Sequence, residues 1–246
     1  SMTKEKLKTF INKYYLGGTI ESVKWIANTS AKQLVTNAIT EDKNVLLKVA
    51  LNNFSDIPDG EVGINDTSKL VKLLGVLKDE IKSDYNKAGE KITSIVFSDD
   101  STDVQYVTAD LSVIPSAPPL KKTPPFNVEI PLDEEFITKF VSSKSALSDV
   151  DTFTLTMNKK GKLEMIIGYS SINSNRIKLA INAVDGKDTV SKNINFNANH
   201  LKEILVANKD CTNANLKVSD AGLASVQFVC DDIISEYYLV EVKSID

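Results

Sequence analysis

The residue types from which a catalytic centre is usually assembled are scarce in this chain. His200 is its one histidine, so a Ser/His/Asp or Cys/His relay would have to use it. It falls on a helical stretch beside an apolar stripe, a position that suits a structural histidine, and no nucleophile-elbow sequence accompanies it. Cys211 and Cys230 lack CxxC spacing, and a zinc site built from one histidine and two distant thiols is not expected. Both read as reduced thiols, with Cys230, inside an apolar run, assigned to the core. Neither GxGxxG nor GxxxxGK[ST] occurs, so the dinucleotide and P-loop readings lack their signatures. Acidic pairs remain, among them Asp99-Asp100, Glu134-Glu135 and Asp231-Asp232. Strand ends and first helical turns favour such residues for ordinary electrostatic reasons. No catalytic residue, metal or cofactor is therefore expected, which favours a binding protein over an enzyme.

Chemistry of another kind is open to the lysines. Arg176 is the only arginine, so nearly every cation is a mobile point charge on a flexible stem. Such charges suit weak, sequence-blind contact with phosphates better than bidentate recognition. An AT-rich genome also yields a lysine excess, in line with the frequent Asn and Ile. The net charge of −4 argues at first against a nucleic-acid partner, so the distribution of the charges must decide.

The elements that would position these residues fall into two halves. A length of 246 residues suits two domains of about 120 each. Pro115, Pro118, Pro119, Pro124 and Pro125 crowd the stretch 111–127, which cannot be a helix or a central strand and reads as an extended connector. It separates an N-terminal domain, 2–110, from a C-terminal domain, 128–246. In the first half, Leu7, Phe10, Ile11 and Tyr14 form a helical stripe over about 4–16 that Gly17-Gly18 ends. Strand-like runs follow at about 19–28, 33–39, 45–51 and 61–65. A second helix is predicted over 67–82, capped near Asp66, with Leu70, Leu73, Leu74, Leu77 and Ile81 on one face. Strands at 92–98 and 104–110 close the half. The second half repeats the order: a strand at 126–130, a helix at 132–146, strands at 151–158, 162–168, 176–183 and 192–196, a helix at 197–208, and strands at 214–219, 223–230 and 235–243. The helices recur at offsets of about 128 and about 131 residues, without visible identity between the halves. Runs of strands with isolated helices imply antiparallel sheets and an α+β fold. No run approaches the roughly 20 apolar residues of a membrane span, so no membrane partner is expected.

Counted over these predicted helices, charge is unevenly spread. Helix one carries +3, helix two +1, helix three −1 and helix four +1, leaving −8 for the rest of the chain. The apolar stripes must face the sheets, so the lysines point away from them. A protein basic only on its helices could hold duplex DNA on that face and stay acidic elsewhere; solvated helix faces give the same pattern with no such role.

Two stretches carry a resemblance. Val107-Thr-Ala-Asp-Leu-Ser-Val-Ile-Pro-Ser-Ala-Pro-Pro-Leu-Lys-Lys-Thr-Pro-Pro-Phe126 resembles the interdomain connector of T-even-type phage sliding clamps. Ala224 to Val240, with Tyr237-Tyr238-Leu239, looks like the closing hairpin of the clamp superfamily that includes proliferating-cell nuclear antigen. The chain departs from the phage pattern in longer loops near 83–90 and 169–175. The resemblance implies two clamp domains with pseudo-twofold internal repeats, sheets outside and two helices per domain inside a homotrimeric ring. It further implies partners: encircled double-stranded DNA, a replicative DNA polymerase, an ATP-dependent clamp loader and late-transcription factors, in the cytoplasm of an infected bacterium. The DNA-facing candidates are Lys4, Lys6, Lys8, Lys13, Lys69, Lys72, Lys82, Lys139, Lys144, Lys202 and Lys209. A pocket for partner peptides is implied at Leu111, Val113, Ile114, Leu239 and Val240. The rival readings are a monomeric β-rich adaptor and a carboxylate metal-dependent enzyme.

Overall fold

The computed structural model describes residues 2–120, 122–181 and 188–243. Lys121 of the connector, the tail of the strand predicted at 176–183 and the last three residues of the predicted C-terminal domain lie outside the described residues.

One pattern, strand–helix–three strands, occurs four times. The first copy is β1 (Met2–Thr3), α1 (Lys4–Tyr15), β2 (Val23–Asn28), β3 (Gln33–Ile39) and β4 (Val45–Asn52). The second is β5 (Gly60–Ile64), α2 (Thr67–Leu74), β6 (Glu80–Ala88), β7 (Lys91–Ser98) and β8 (Asp103–Val107). The third is β9 (Val128–Pro131), α3 (Glu134–Ala146), β10 (Thr152–Met157), β11 (Leu163–Ile167) and β12 (Ile177–Ala180). The fourth is β13 (Ile194–Asn197), α4 (Ala198–Ala207), β14 (Asn215–Ser219), β15 (Leu223–Cys230) and β16 (Ile233–Val240). The chain forms two compact units. One comprises Ser1–Thr40, Leu47–Ala117 and Asp231–Ser235; the other comprises Glu41–Leu46, Pro118–Cys230 and Glu236–Asp246.

Within each unit the paired copies exchange their first strands. In the first unit β1 joins β6 antiparallel, with Met2 opposite Ile81, while β5 joins β2, with Val23 opposite Ile64. In the second unit β9 joins β14, with Leu216 opposite Ile130, while β13 joins β10, with Phe153 opposite Phe196. The resulting strand orders are β1-β6-β7-β8 and β5-β2-β3-β4 in the first unit, and β12-β11-β10-β13 and β9-β14-β15-β16 in the second. This reciprocal exchange gives each unit its pseudo-twofold repeat and the antiparallel α+β architecture expected from the sequence.

The exchange has a local cause. Each lent strand runs into a residue whose side chain caps the next helix: Thr3, Asp66, Asp133 and Asn197 accept from the backbone amides of Lys6, Lys69, Phe136 and His200. These short polar side chains satisfy amide donors that the first helical turn leaves open. At the far end of α1, Leu16 adopts a left-handed conformation (φ 51°), followed by Gly17, the ending the Gly-Gly pair predicts.

The stripe predicted for the first helix is buried, whereas α3 buries Phe140 alone among its large apolar residues. Leu7, Phe10, Ile11 and Tyr14 are fully buried, and Phe10 meets Trp25 of β2 edge to face at 5.8 Å. The Trp25 indole donates to the Tyr14 hydroxyl at 3.3 Å, and that hydroxyl lies 3.0 Å from Thr67 Oγ1 at the start of α2. One polar relay thus ties α1, β2 and α2 together, and burial pushes the Tyr14 phenol well above its ordinary pKa. The second unit uses phenylalanines instead: Phe140 packs on Phe153 at 5.5 Å and Phe153 on Phe196 at 5.6 Å. Close backbone approach explains Gly63, where a Cβ would stand 2.6 Å from the Ala109 carbonyl oxygen; the two residues form a bridge between β5 and the chain just past β8.

Several sequence expectations are corrected. The second helix does not run to residue 82; it ends at Leu74, and Gly75 follows. The loop expected near 83–90 is β6 and its hairpin to β7, whereas 169–175 is irregular. The sequence reading also missed β1. Cys230 is only half-buried at the end of β15, not part of the core.

Candidate nucleic-acid interface

With the observed helix bounds the charge count sharpens. Helix α1 holds four lysines against Glu5, and α2 holds Lys69 and Lys72 with no acid. Helix α3 sets Lys139 and Lys144 against Glu134 and Glu135, and α4 sets Lys202 against Glu203. The helices of the first unit are therefore strongly basic, and those of the second have no net charge.

Helix α2 buries Thr67, Leu70 and Leu74 and leaves Lys69 and Lys72 exposed. At 100° per residue the lysines must lie opposite that stripe. Asp66 accepts from the Lys69 amide and the Ser68 hydroxyl, which hold its carboxyl below its usual pKa, so the helix starts on a fixed anion while its outer face stays basic. Alongside it, α1 presents Lys8 half-exposed, 4.0 Å from Glu5. Lys4 donates to the Leu77 carbonyl at 2.5 Å. Lys6 pairs with Asp232 at 3.2 Å, and Asp232, which also accepts from Asn53, is held below the usual carboxylate range. Both lysines keep part of their surface in solvent.

Four of the predicted DNA-facing lysines are placed differently from expectation. Lys13 is 0% exposed and Lys144 3% exposed, so neither ammonium stands on an open helix face. They occupy matching places near the ends of α1 and α3. Lys144 turns back to donate to the carbonyls of Leu147 at 3.4 Å and Ser148 at 3.0 Å, closing acceptors that a helix end leaves open. Lys82 is exposed on β6 and not on a helix, and Lys209 is exposed on the turn beyond α4. In the second unit, Lys139 is exposed and pairs with Glu135 at 3.0 Å, and Lys202 is half-buried.

The residues assigned to a peptide pocket divide by burial. Leu111–Val113 form a single 3₁₀ turn, capped by the Asp110 carboxylate on the Ser112 amide at 3.0 Å. Lys91, 2.6 Å away, with Ser112, holds the Asp110 carboxyl well below its ordinary range. Val113 is 65% exposed, but Ile114 faces the core against Gly63. Strand alternation likewise turns Leu239 inward with Tyr237 and leaves Val240 exposed. Ile114 and Leu239 are thus core residues and not open lining. Leu111 is half-buried.

The groups considered for catalysis have structural partners. His200 Nε2 lies 2.7 Å from Asp42. Asp99 accepts from the amides of Lys78, Ser101 and Thr102, which hold its carboxyl below the usual range, and Asp100 pairs with Lys78 at 2.8 Å.

The strands expected at 104–110 and 176–183 correspond to β8 and β12; among the described residues each lies at one edge of its sheet, as β1 and β13 do at the other. In β8, Val104 and Tyr106 point inward while Asp103, Gln105 and Val107 are exposed; the alternating Asp-Val-Gln-Tyr-Val pattern was the available signal. Beside β12 runs a groove of about 600 Å³ against α3, lined by Phe136, Lys139, Ser143, Ile177 and Leu179.

No protein-family model matches the sequence, and no curated protein matches it. Solved structures do match, over nearly the whole chain. A chain in the complex of the C-terminal region of FEN-1 with A. fulgidus PCNA aligns with a TM-score of 0.70 and 14% identity, covering 100% of this chain and 98% of that one. The proliferating cellular nuclear antigen of Entamoeba histolytica aligns at 0.73 and 13% identity, covering 98% and 96%. A chain of the PCNA2-PCNA3 complex from Sulfolobus tokodaii aligns at 0.68 and 11% identity, covering 98% and 97%. Both units thus have the PCNA-like fold.

Proposed function

We propose that this chain is a DNA sliding clamp of the T-even phage type, three copies of which close into a ring around duplex DNA. The observation that carries the reading is the fold: the chain matches PCNA structures over 98–100% of its length. The ring tethers a replicative DNA polymerase, is opened by an ATP-driven loader, and supports late transcription in the infected bacterial cytoplasm. It catalyses nothing itself. Its work is topological, because a closed ring stays on DNA without holding any base or phosphate tightly.

The helix lysines fit this mechanism. Lys4, Lys6, Lys8, Lys69 and Lys72 supply loose, salt-screened attraction to phosphates, with Lys139 and Lys202 adding a smaller share, so the ring is held centred yet free to slide. Ring closure has candidate surfaces in the edges of β8 and β12, where unpaired backbone donors and acceptors of one copy can continue the sheet of the next. The groove along β12, where Phe136, Ile177 and Leu179 stand among Glu135, Thr138 and Lys139, would then receive exposed side chains such as Val107 from the neighbouring copy. Partner peptides would dock beside the exposed Val113 of the Leu111–Val113 turn.

The test is retention on nicked circular DNA after loading. A clamp stays on the circle through a salt wash and is lost when the circle is cut. Equal retention before and after linearisation would exclude a topological link, and a single-chain mass at micromolar concentration would count against the ring.

A further inference from the structure

The turn after α4 brings two adjacent side chains against a third that lies 19 and 20 residues further along the chain. The Cys211 amide donates to the Asn208 carbonyl at 3.0 Å, folding the chain back so that Asp210 and Cys211 face the end of β15. There the Cys230 thiol donates to Asp210 twice, to the carbonyl oxygen at 3.2 Å and to carboxylate Oδ2 at 3.3 Å. The Cys211 thiol lies 3.6 Å from Asp210 Oδ1. One carboxylate oxygen and both sulfurs lie within 4.8 Å of one another, and both cysteines are half-buried thiols, within reach of solvent.

We infer that Asp210, Cys211 and Cys230 form a binding site for a thiophilic divalent cation of the Zn²⁺ class. The distances fit. A tetrahedral ion with bonds of about 2.3 Å to sulfur and about 2.0–2.2 Å to oxygen sets sulfur and oxygen ligands roughly 3.5 Å apart. Cys230 Sγ lies 3.3 Å from Asp210 Oδ2 and Cys211 Sγ 3.6 Å from the other oxygen, Oδ1, each close to that edge, and one oxygen with both sulfurs falls within 4.8 Å. The ion would replace the two thiol protons that now point at the carboxylate, with little backbone movement. Two thiolates and one carboxylate select a soft or borderline ion over Mg²⁺ or Ca²⁺, which take six or more oxygen ligands. Water completes the fourth position. Because the ligands come from the α4–β14 turn and from β15, the bound ion would staple that turn to the sheet.

The test uses the full-length reduced chain. Zn²⁺ uptake is followed by competition with a chromophoric chelator, and Cd²⁺ by its thiolate charge-transfer absorption in the ultraviolet. The expected result is one equivalent per chain, proton release on binding and a raised thermal midpoint. The double variant Cys211→Ser/Cys230→Ser should lose the charge-transfer band, and Asp210→Asn should weaken uptake roughly tenfold. Circular dichroism of the metal-free variants checks that each is folded. A saturating Cd²⁺ titration without a thiolate band would overturn the site, as would Zn²⁺ uptake indifferent to the double substitution. So would a reduced chain that binds neither ion and instead forms a Cys211–Cys230 disulfide when exposed to peroxide.

Discussion

The helix pairs of the two units are built alike and charged differently. Each helix follows a lent strand, starts on a capping side chain and buries at least one large apolar side chain, and a buried lysine sits near the end of the first helix in both units. On this common frame α1 and α2 carry six lysines against one acid, whereas α3 and α4 carry three against three. The lesson is that the strand exchange and the caps set the frame, while charge on the outer helix face is free to vary. In the proposed ring the attraction to DNA would therefore alternate around the hole, strong at the first unit of each copy and weak at the second.

The largest expected effect tests that alternation directly. Reversing Lys8, Lys69 and Lys72 to glutamate should lower loading onto circular DNA by about a hundredfold at moderate salt and flatten its salt dependence. Reversing Lys139 and Lys202 should cost roughly threefold. Salt-titrated loading onto nicked circles measures both, and equal losses would break the distinction between the units. A smaller effect in the opposite direction sharpens it. Replacing Glu135 and Glu203 with lysine should make α3 and α4 basic and raise loading about tenfold. The same pair, added to the reversed first unit, should restore part of what was lost.

Smaller again is the expected effect of Lys144, which separates the buried lysines from the exposed ones. Lys144→Met keeps the stem but leaves the Leu147 and Ser148 carbonyls without their charged donor. Stability should fall by about 1–2 kcal/mol, read from a urea transition. The salt slope of DNA loading should not change. A lower slope with unchanged stability would put the Lys144 ammonium back among the phosphate contacts.

These lysines show where the sequence was legible and where it was not. The stripe Leu7-Phe10-Ile11-Tyr14 and the four-helix order are written in local patterns, and the structure contains them. Helix two was overextended because Leu77 and Ile81 continue the Leu70-Leu73-Leu74 stripe, and their four-residue spacing suits a helix face and one side of a strand equally. Only Gly75 marked the break. Lys13 and Lys144 were read as exposed because lysine usually is; their places in the last helical turn were the one hint that they bury. The Asp210–Cys211–Cys230 cluster was invisible because it depends on a tertiary turn that no local spacing encodes.

The smallest effect isolates the frame from the charge. Thr3→Ala and Asn197→Ala each remove a cap without altering net charge. Asn197 accepts the His200 amide at 2.9 Å, whereas exposed Thr3 accepts the Lys6 amide at 3.3 Å. Capping losses are typically near 1 kcal/mol, so Asn197→Ala should cost about 1 kcal/mol and Thr3→Ala about half as much. Thermal unfolding midpoints check both. DNA retention, measured well below those midpoints, should stay at the unaltered level in each variant, because the outer helix faces keep their lysines. A cap variant that lost DNA retention while staying folded would mean that helix position, and not charge alone, separates the two units.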